Sequence, residues 1–163
     1  MKRRTRNLKV SHMTEYDIKE LEEMTVARYI ELRDSENEDD NDLARDATAN
    51  ISLYLYANAD FVDDLEIDEE DVVDGKYMIS TSFEAICEDY PIIQCDADDF
   101  IEQDVRGEFD DIIEVDVTPE MTFMEIAEKL KDQIEIEADR VIESAAESAA
   151  EDYGPHRSYW YSR

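Results

Sequence analysis

The chain has 163 residues, 42% of them hydrophobic, with 46 acidic against 16 basic side chains and a net charge of −30 at pH 7. That is enough apolar material to bury one core, which excludes wholesale disorder, while three Gly, three Pro and two Cys exclude a collagen-like chain, a Pro-rich linker and a disulfide framework. No apolar run approaches the roughly 18 residues of a membrane span and no apolar signal segment follows the basic N-terminus, so a soluble cytoplasmic protein is expected, in the host cytoplasm if its source is viral.

Residues 1–13 are a basic arm in which Lys2, Arg3, Arg4, Arg6 and Lys9 occur without an acid, leaving −35 on the remainder. The stretch TEYD, Thr14 to Asp17, has capping-box spacing and predicts a helix over 15–33. Ile18, Leu21, Met24, Ala27 and Ile30 form its apolar face, and Glu15, Lys19 and Glu23 alternate in sign along it. SENEDDND, Ser35 to Asp42, predicts an acidic loop whose last residue caps a second helix over 43–58, buried through Leu43, Ala47, Ile51, Tyr54 and Leu55. DDLEIDEEDVVD, Asp63 to Asp74, is acidic at nearly every position and its pattern selects no element. After Gly75, residues 76–83 predict a strand, 84–90 a short helical turn, and 91–95 a short strand at a sheet edge, where Pro91 is tolerated. DADDFIEQD, 96–104, predicts a short acidic helix, and DIIEVDV, 111–117, a half-exposed strand. Thr118 and Pro119 then open a long helix that Gly154 and Pro155 close, with the tail 153–163 beyond it.

The expected architecture is α+β: a small sheet of about three strands packed with three main helices, the last one long. It forms a single acidic domain over 14–152.

On the last helix Glu125, Glu128, Asp132, Glu135, Asp139, Glu143, Glu147 and Glu151 follow at steps of three or four residues, which keeps them on one side. Phe123, Ala127, Leu130, Ile134, Ala138, Val141, Ala145 and Ala149 hold the opposite, core-facing side. The helix bases Lys129, Lys131 and Arg140 lie off the acidic row. Each like-charge neighbour costs about 0.2–0.5 kcal/mol, so the row costs about 1–3 kcal/mol in all. A solvated helix face under weak selection is the bland explanation. Against it stand the uniform sign and two further acidic rows: Asp63, Asp64, Glu66, Asp68, Glu69, Glu70 and Asp71, then Asp98, Asp99, Asp110 and Asp111.

Other chemistry finds little support. Loops beginning at Asp34, Asp64, Glu70 or Asp96 fail the EF-hand pattern, and the cysteines with terminal His12 and His156 do not complete a zinc set, so no metal or other cofactor is expected. Hydrolase elbow, phosphate loop and HExxH are missing, so an enzyme is not expected. High-salt adaptation would acidify the termini as well, and they are basic. The tail aromatics Tyr153, Tyr159, Trp160 and Tyr161 suit a hydrophobic clasp or a contact anchor better than base stacking.

A compact chain of this length has a diameter of about 40 Å, hence about 0.75 net charges per Å against about 0.6 for duplex DNA. In composition and size the chain is similar to the inhibitors of restriction or CRISPR nucleases made by phages and mobile elements, a compositional class with no shared motif. The expected function is therefore a nucleic-acid mimic that inhibits a DNA- or RNA-binding enzyme. Its partner would present a basic groove, the acidic body would not bind nucleic acid itself, no membrane would be involved, and a homo-oligomer is compatible with the sequence. The alternative is an acidic adaptor that binds a basic protein partner, as a transcription regulator or viral structural component, without mimicry.

Overall fold

A computed structural model describes residues 15–94 and 100–151. The order of elements is α1 (Glu15–Glu23), α2 (Val26–Arg33), α3 (Glu38–Asn58), β1 (Asp63–Val73), β2 (Lys76–Gln94), β3 (Phe100–Asp116) and α4 (Phe123–Glu151). The strands form one antiparallel sheet in the order β1-β2-β3, so the α+β expectation holds, with a long final helix. Along β2 Tyr77, Ile79, Thr81, Phe83 and Ala85 are buried, while the residues between them face away from the helices. The core fills the space between that inner face and α4, closed by the shorter helices through Leu21, Leu32, Ile51 and Leu55.

The predicted 15–33 helix is broken at Met24 and Thr25, and the cause is tertiary. Thr25 bridges Thr122, the Phe123 amide donates to the Met24 carbonyl at 2.8 Å, and the Val26 amide donates to the Met121 carbonyl at 2.9 Å. The Thr25 hydroxyl then accepts from the Arg28 amide and restarts the chain as α2. The same staple delays α4 until Phe123, beyond the predicted Thr118–Pro119 start. There Thr122 and Glu125 form a reciprocal capping box, the Thr122 amide donating to Glu125 Oε1 at 3.0 Å and the Glu125 amide to Thr122 Oγ1 at 3.3 Å. The predicted closure at Gly154 and Pro155 lies outside the described residues, as does Thr14.

Helix α3 starts five residues before its predicted start at 43, inside the supposed acidic loop. Asn37 caps it by accepting the Asp39 amide, and Glu38, Asp39 and Asp40 sit in the first turn, where the helix dipole favours negative charge. Asn41 ties the preceding turn down by donating to the carbonyls of Leu32, Arg33 and Ser35.

The unassigned acidic stretch 63–73 is β1. Asp74 and Gly75, at φ 51° and 76°, make the two-residue turn that pairs Val73 with Lys76. Two further corrections concern the ribbon. Residues 84–90 are strand and not a helical turn, and 100–104 of the predicted acidic helix belong to β3, with 95–99 outside the described residues. A bulge between Cys87 and Tyr90, with Asp89 at φ 53°, breaks the period-two pattern that would have identified the strand. Pro91 does lie at an edge, because β1 pairs with β2 only as far as Glu84 and beyond it β3 is the sole strand neighbour among the described residues.

Helix α4 crosses the ribbon over Gly107, where an added Cβ would stand 2.7 Å from the Val141 carbonyl oxygen. A backbone atom cannot swing aside as a side-chain tip can. Gly107→Ala should therefore cost about 1–3 kcal/mol, read in a thermal melt as a Tm lower by about 3–9 °C. An unchanged Tm would mean that helix and ribbon are less closely apposed.

Candidate functional site

All eight carboxylates of the predicted row on α4, from Glu125 to Glu151, are exposed. Among the described residues Glu128, Asp132, Glu135, Asp139, Glu143, Glu147 and Glu151 form no ion pair; the cations that do pair, from Lys19 with Glu23 on α1 to Arg140 with Glu137 on α4, take other acids. Glu125 is the exception in the row, serving as the capping-box acceptor. Its hydrogen bonds from the Thr122 amide and hydroxyl hold its pKa below the ordinary carboxylate value. The depressed value means that this bond supports the helix start at neutral pH and is lost as pH falls through the folded-state pKa.

The buried stripe of α4 departs from expectation in its second half. Ala138, Ala146 and Ala150 are buried, with Ile142 half-buried between them, whereas the predicted Ala145 and Ala149 are intermediate. Steps of four residues rotate a helix face by about 40° each, so this stripe winds as α4 follows the twisted ribbon. Glu135, Asp139, Glu143, Glu147 and Glu151 each come one residue after a stripe position and wind with it. The repeat ESAAESAAED thus does two jobs: its alanines seat the helix against the ribbon and its glutamates line the seam.

Beside that seam two cavities of about 490 and 530 Å³ adjoin, sharing Tyr90 and Glu143. Their floor includes Ala85, Ile142 and Ala146, with Ile86 on the bordering strand, and Phe61 closes one side. Together they form a groove with an apolar floor and an acidic wall running from Glu135 to Glu151.

The second predicted row lies on the opposite layer. Glu66 pairs across β2 Ser82 to Asp110, so these acids share the sheet face turned away from the helices, and Asp68 lies in the next outward row, opposite Ser80. Asp63, Glu84 and Glu108 make another cross-strand row, with Arg106 3.5 Å from Glu84. Asp64, at φ 54°, sits at a register shift beside a depression of about 570 Å³ bordered by Glu66, Glu108 and Asp110. Glu69, at φ 22°, is the extra residue of the β1 bulge and is exposed. Asp111 is exposed opposite Thr81 and accepts the Ile112 amide. Asp98 and Asp99 lie outside the described residues. No group of side chains among the described residues is arranged to hold a metal ion.

Glu70 and Asp71 of the β1 row take part in the protein's own hydrogen bonds. Glu70 accepts from the Ser52 and Tyr77 hydroxyls, and Asp71 accepts from the Tyr29 hydroxyl at 2.9 Å and from Arg33 at 2.8 Å. Burial first, and Asp71 second, push the Tyr29 phenol above its ordinary range, so it remains a donor at any ordinary pH. Sequence reasoning did not separate these two structural carboxylates from their neighbours. The bulge at Glu69 turns Glu70 inward, and nothing in a run of acids signals that.

Self-repulsion along α4 is exposed to solvent and hence to screening. Raising salt from about 10 mM to 0.5 M is expected to stabilise the fold by part of the ridge's about 1–3 kcal/mol, an upward Tm shift of about 2–8 °C. A melting curve indifferent to salt would show that self-repulsion along the row costs the fold little.

Among the described residues no helix is long and apolar enough to cross a membrane. No family model, no curated protein and no solved structure matches this chain.

Proposed function

We propose that the protein imitates the charge array of a nucleic acid and occupies the basic groove of a DNA- or RNA-binding enzyme. It would act in the cytoplasm as an inhibitor of the anti-restriction or anti-CRISPR kind, from a phage or mobile element. The observation carrying this reading is the continuous row of exposed carboxylates on α4, unpaired among the described residues from Glu128 to Glu151. The whole row, Glu125 to Glu151, runs about 39 Å at 1.5 Å per residue, with successive charges about 4.5–6 Å apart along the axis. A rigid helix presents them without the entropy cost of ordering flexible side chains on a loop. Carboxylates would engage Arg and Lys of the target, speeding association and weakening with added salt.

A second reading, an acidic adaptor for a basic protein partner without mimicry, is favoured by two features. The ridge alone carries about 0.2 charges per Å against about 0.3 for one strand of duplex DNA. The sheet-face acids lie on the opposite layer and do not extend that track. Displacement separates the readings. The immobilised protein should capture from a native-host lysate a nucleic-acid-binding enzyme that short duplex DNA or RNA then releases at constant ionic strength. Bound partners that neither duplex displaces would end the mimicry reading and leave the adaptor.

A further inference from the structure

The groove between the second half of α4 and the far part of β2 combines part of the charge row with two features that the row alone does not supply. Its floor is apolar, made of Ala85, Ile142 and Ala146. Its wall is the carboxylate series Asp139, Glu143, Glu147 and Glu151. Its other side is β2 from Ala85 onward, where β1 has ended and, among the described residues, no strand takes the free backbone edge. A strand edge left open beside exposed apolar surface invites another strand.

We infer that this groove binds an extended basic segment of a partner protein, with Lys or Arg alternating with aliphatic residues. Side chains on one face of an extended chain recur about every 6.6 Å, and carboxylates four apart on a helix recur about every 6.0 Å. An extended segment laid along the groove therefore meets one carboxylate per cationic side chain for several steps, while its alternate residues turn to the opposite sheet face, where Ile86 is 37% exposed. A helical partner could match the charge spacing but would leave the backbone edge of β2 unmet. A second copy of this chain is disfavoured, because the edge displays exposed Glu88 and Asp89, which would oppose acids of the copy. The bulge at those residues and Pro91 limit backbone pairing to a short stretch beginning at Ala85, so most of the affinity must come from the wall and floor. The inference does not rest on nucleic-acid mimicry, since a partner need not bind DNA or RNA to offer such a segment.

The test titrates the full chain with a peptide of about nine residues alternating Lys and Val, long enough to span the groove. A peptide of the same composition with its lysines in one block serves as control. Saturable one-to-one binding of the alternating peptide is expected, with slowed hydrogen exchange at the amides of 85–87. Neutralising the wall with Asp139→Asn, Glu143→Gln and Glu147→Gln should weaken it by about tenfold. Neutralising Glu66, Glu108 and Asp110 on the sheet face removes the same net charge and should weaken it by no more than about twofold. Equal losses in the two triples, equal binding of the blocked peptide, or unchanged exchange at 85–87 would each overturn the inference. Because no nucleic acid enters the experiment, its failure is distinct from a failure of the displacement test.

Discussion

Reversing Glu135, Asp139 and Glu143 to Lys is expected to weaken partner binding by at least about 100-fold at low salt, with little change in Tm. The loss is large because reversal removes attraction and adds repulsion at the centre of the row. The fold should survive because all three side chains are exposed and have no ion pair among the described residues. Stability should even rise slightly, since the new cations would stand within a helical turn of Asp132 and Glu147 and relieve the like-charge column. Salt gives the result a second signature. Added salt should weaken binding of the unaltered protein while raising its Tm, two responses of opposite sign with one electrostatic origin. The matching reversal of Glu66, Glu108 and Asp110 tests the other layer. If that variant loses binding and the α4 variant does not, the sheet face is the interface and the ridge is a solvated helix surface. The measurement is an affinity titration of both variants against the captured partner, with circular dichroism to verify the fold.

The ridge was legible because its period is written in charge sign, and a single helix needs only local spacing to bring its residues into line. Its eight members all emerge exposed on α4. The ribbon of β2 and β3 was not legible in the same way. Residues 84–90 and 100–104 owe their strand conformation to each other, through pairs such as Cys87 with Val105 and Tyr90 with Gln103, and a bulge and dense acids hide the alternation. The break at Thr25 is likewise a product of a distant segment, Pro119 to Phe123, docking on it. The capping box at Thr122 and Glu125 and the Asp74–Gly75 hairpin, by contrast, were present as local signals, passed over by the expected start at Thr118–Pro119 and the unassigned stretch 63–74. They are the usual marks of a helix start and a tight turn, and they fix where α4 begins and how β1 meets β2. The site divided for the same reason. Which acids share a face depends on strand register, and register became known only from the pairing of Glu66, Ser82 and Asp110.

Phe123→Ala is expected to produce the largest loss of stability, about 3–5 kcal/mol, lowering Tm by about 6–20 °C. Phe123 is 2% exposed at the first turn of α4, with its ring 5.0 Å from Tyr29 and in edge contact with Tyr77 at 5.9 Å. It therefore joins α2, β2 and α4 at the point where the backbone of Met24 is stapled to that of Phe123. Truncation would leave a cavity among groups held by other bonds, Tyr29 to Asp71 and Tyr77 to Glu70, so the walls cannot readily collapse into it. A domain of this size has about 5–15 kcal/mol in total, and self-repulsion has already drawn on that margin, so the variant should be substantially unfolded at low salt. Added salt should recover part of its structure, and neutralising exposed ridge acids such as Glu143 and Glu147 should recover more, additively because those sites are distant from Phe123. Phe123→Leu, which keeps most of the volume, should lose much less. A Phe123→Ala protein melting within about 2 °C of the parent would show that α4 is anchored elsewhere, and with it the rigid presentation of the carboxylate row would lose its physical basis.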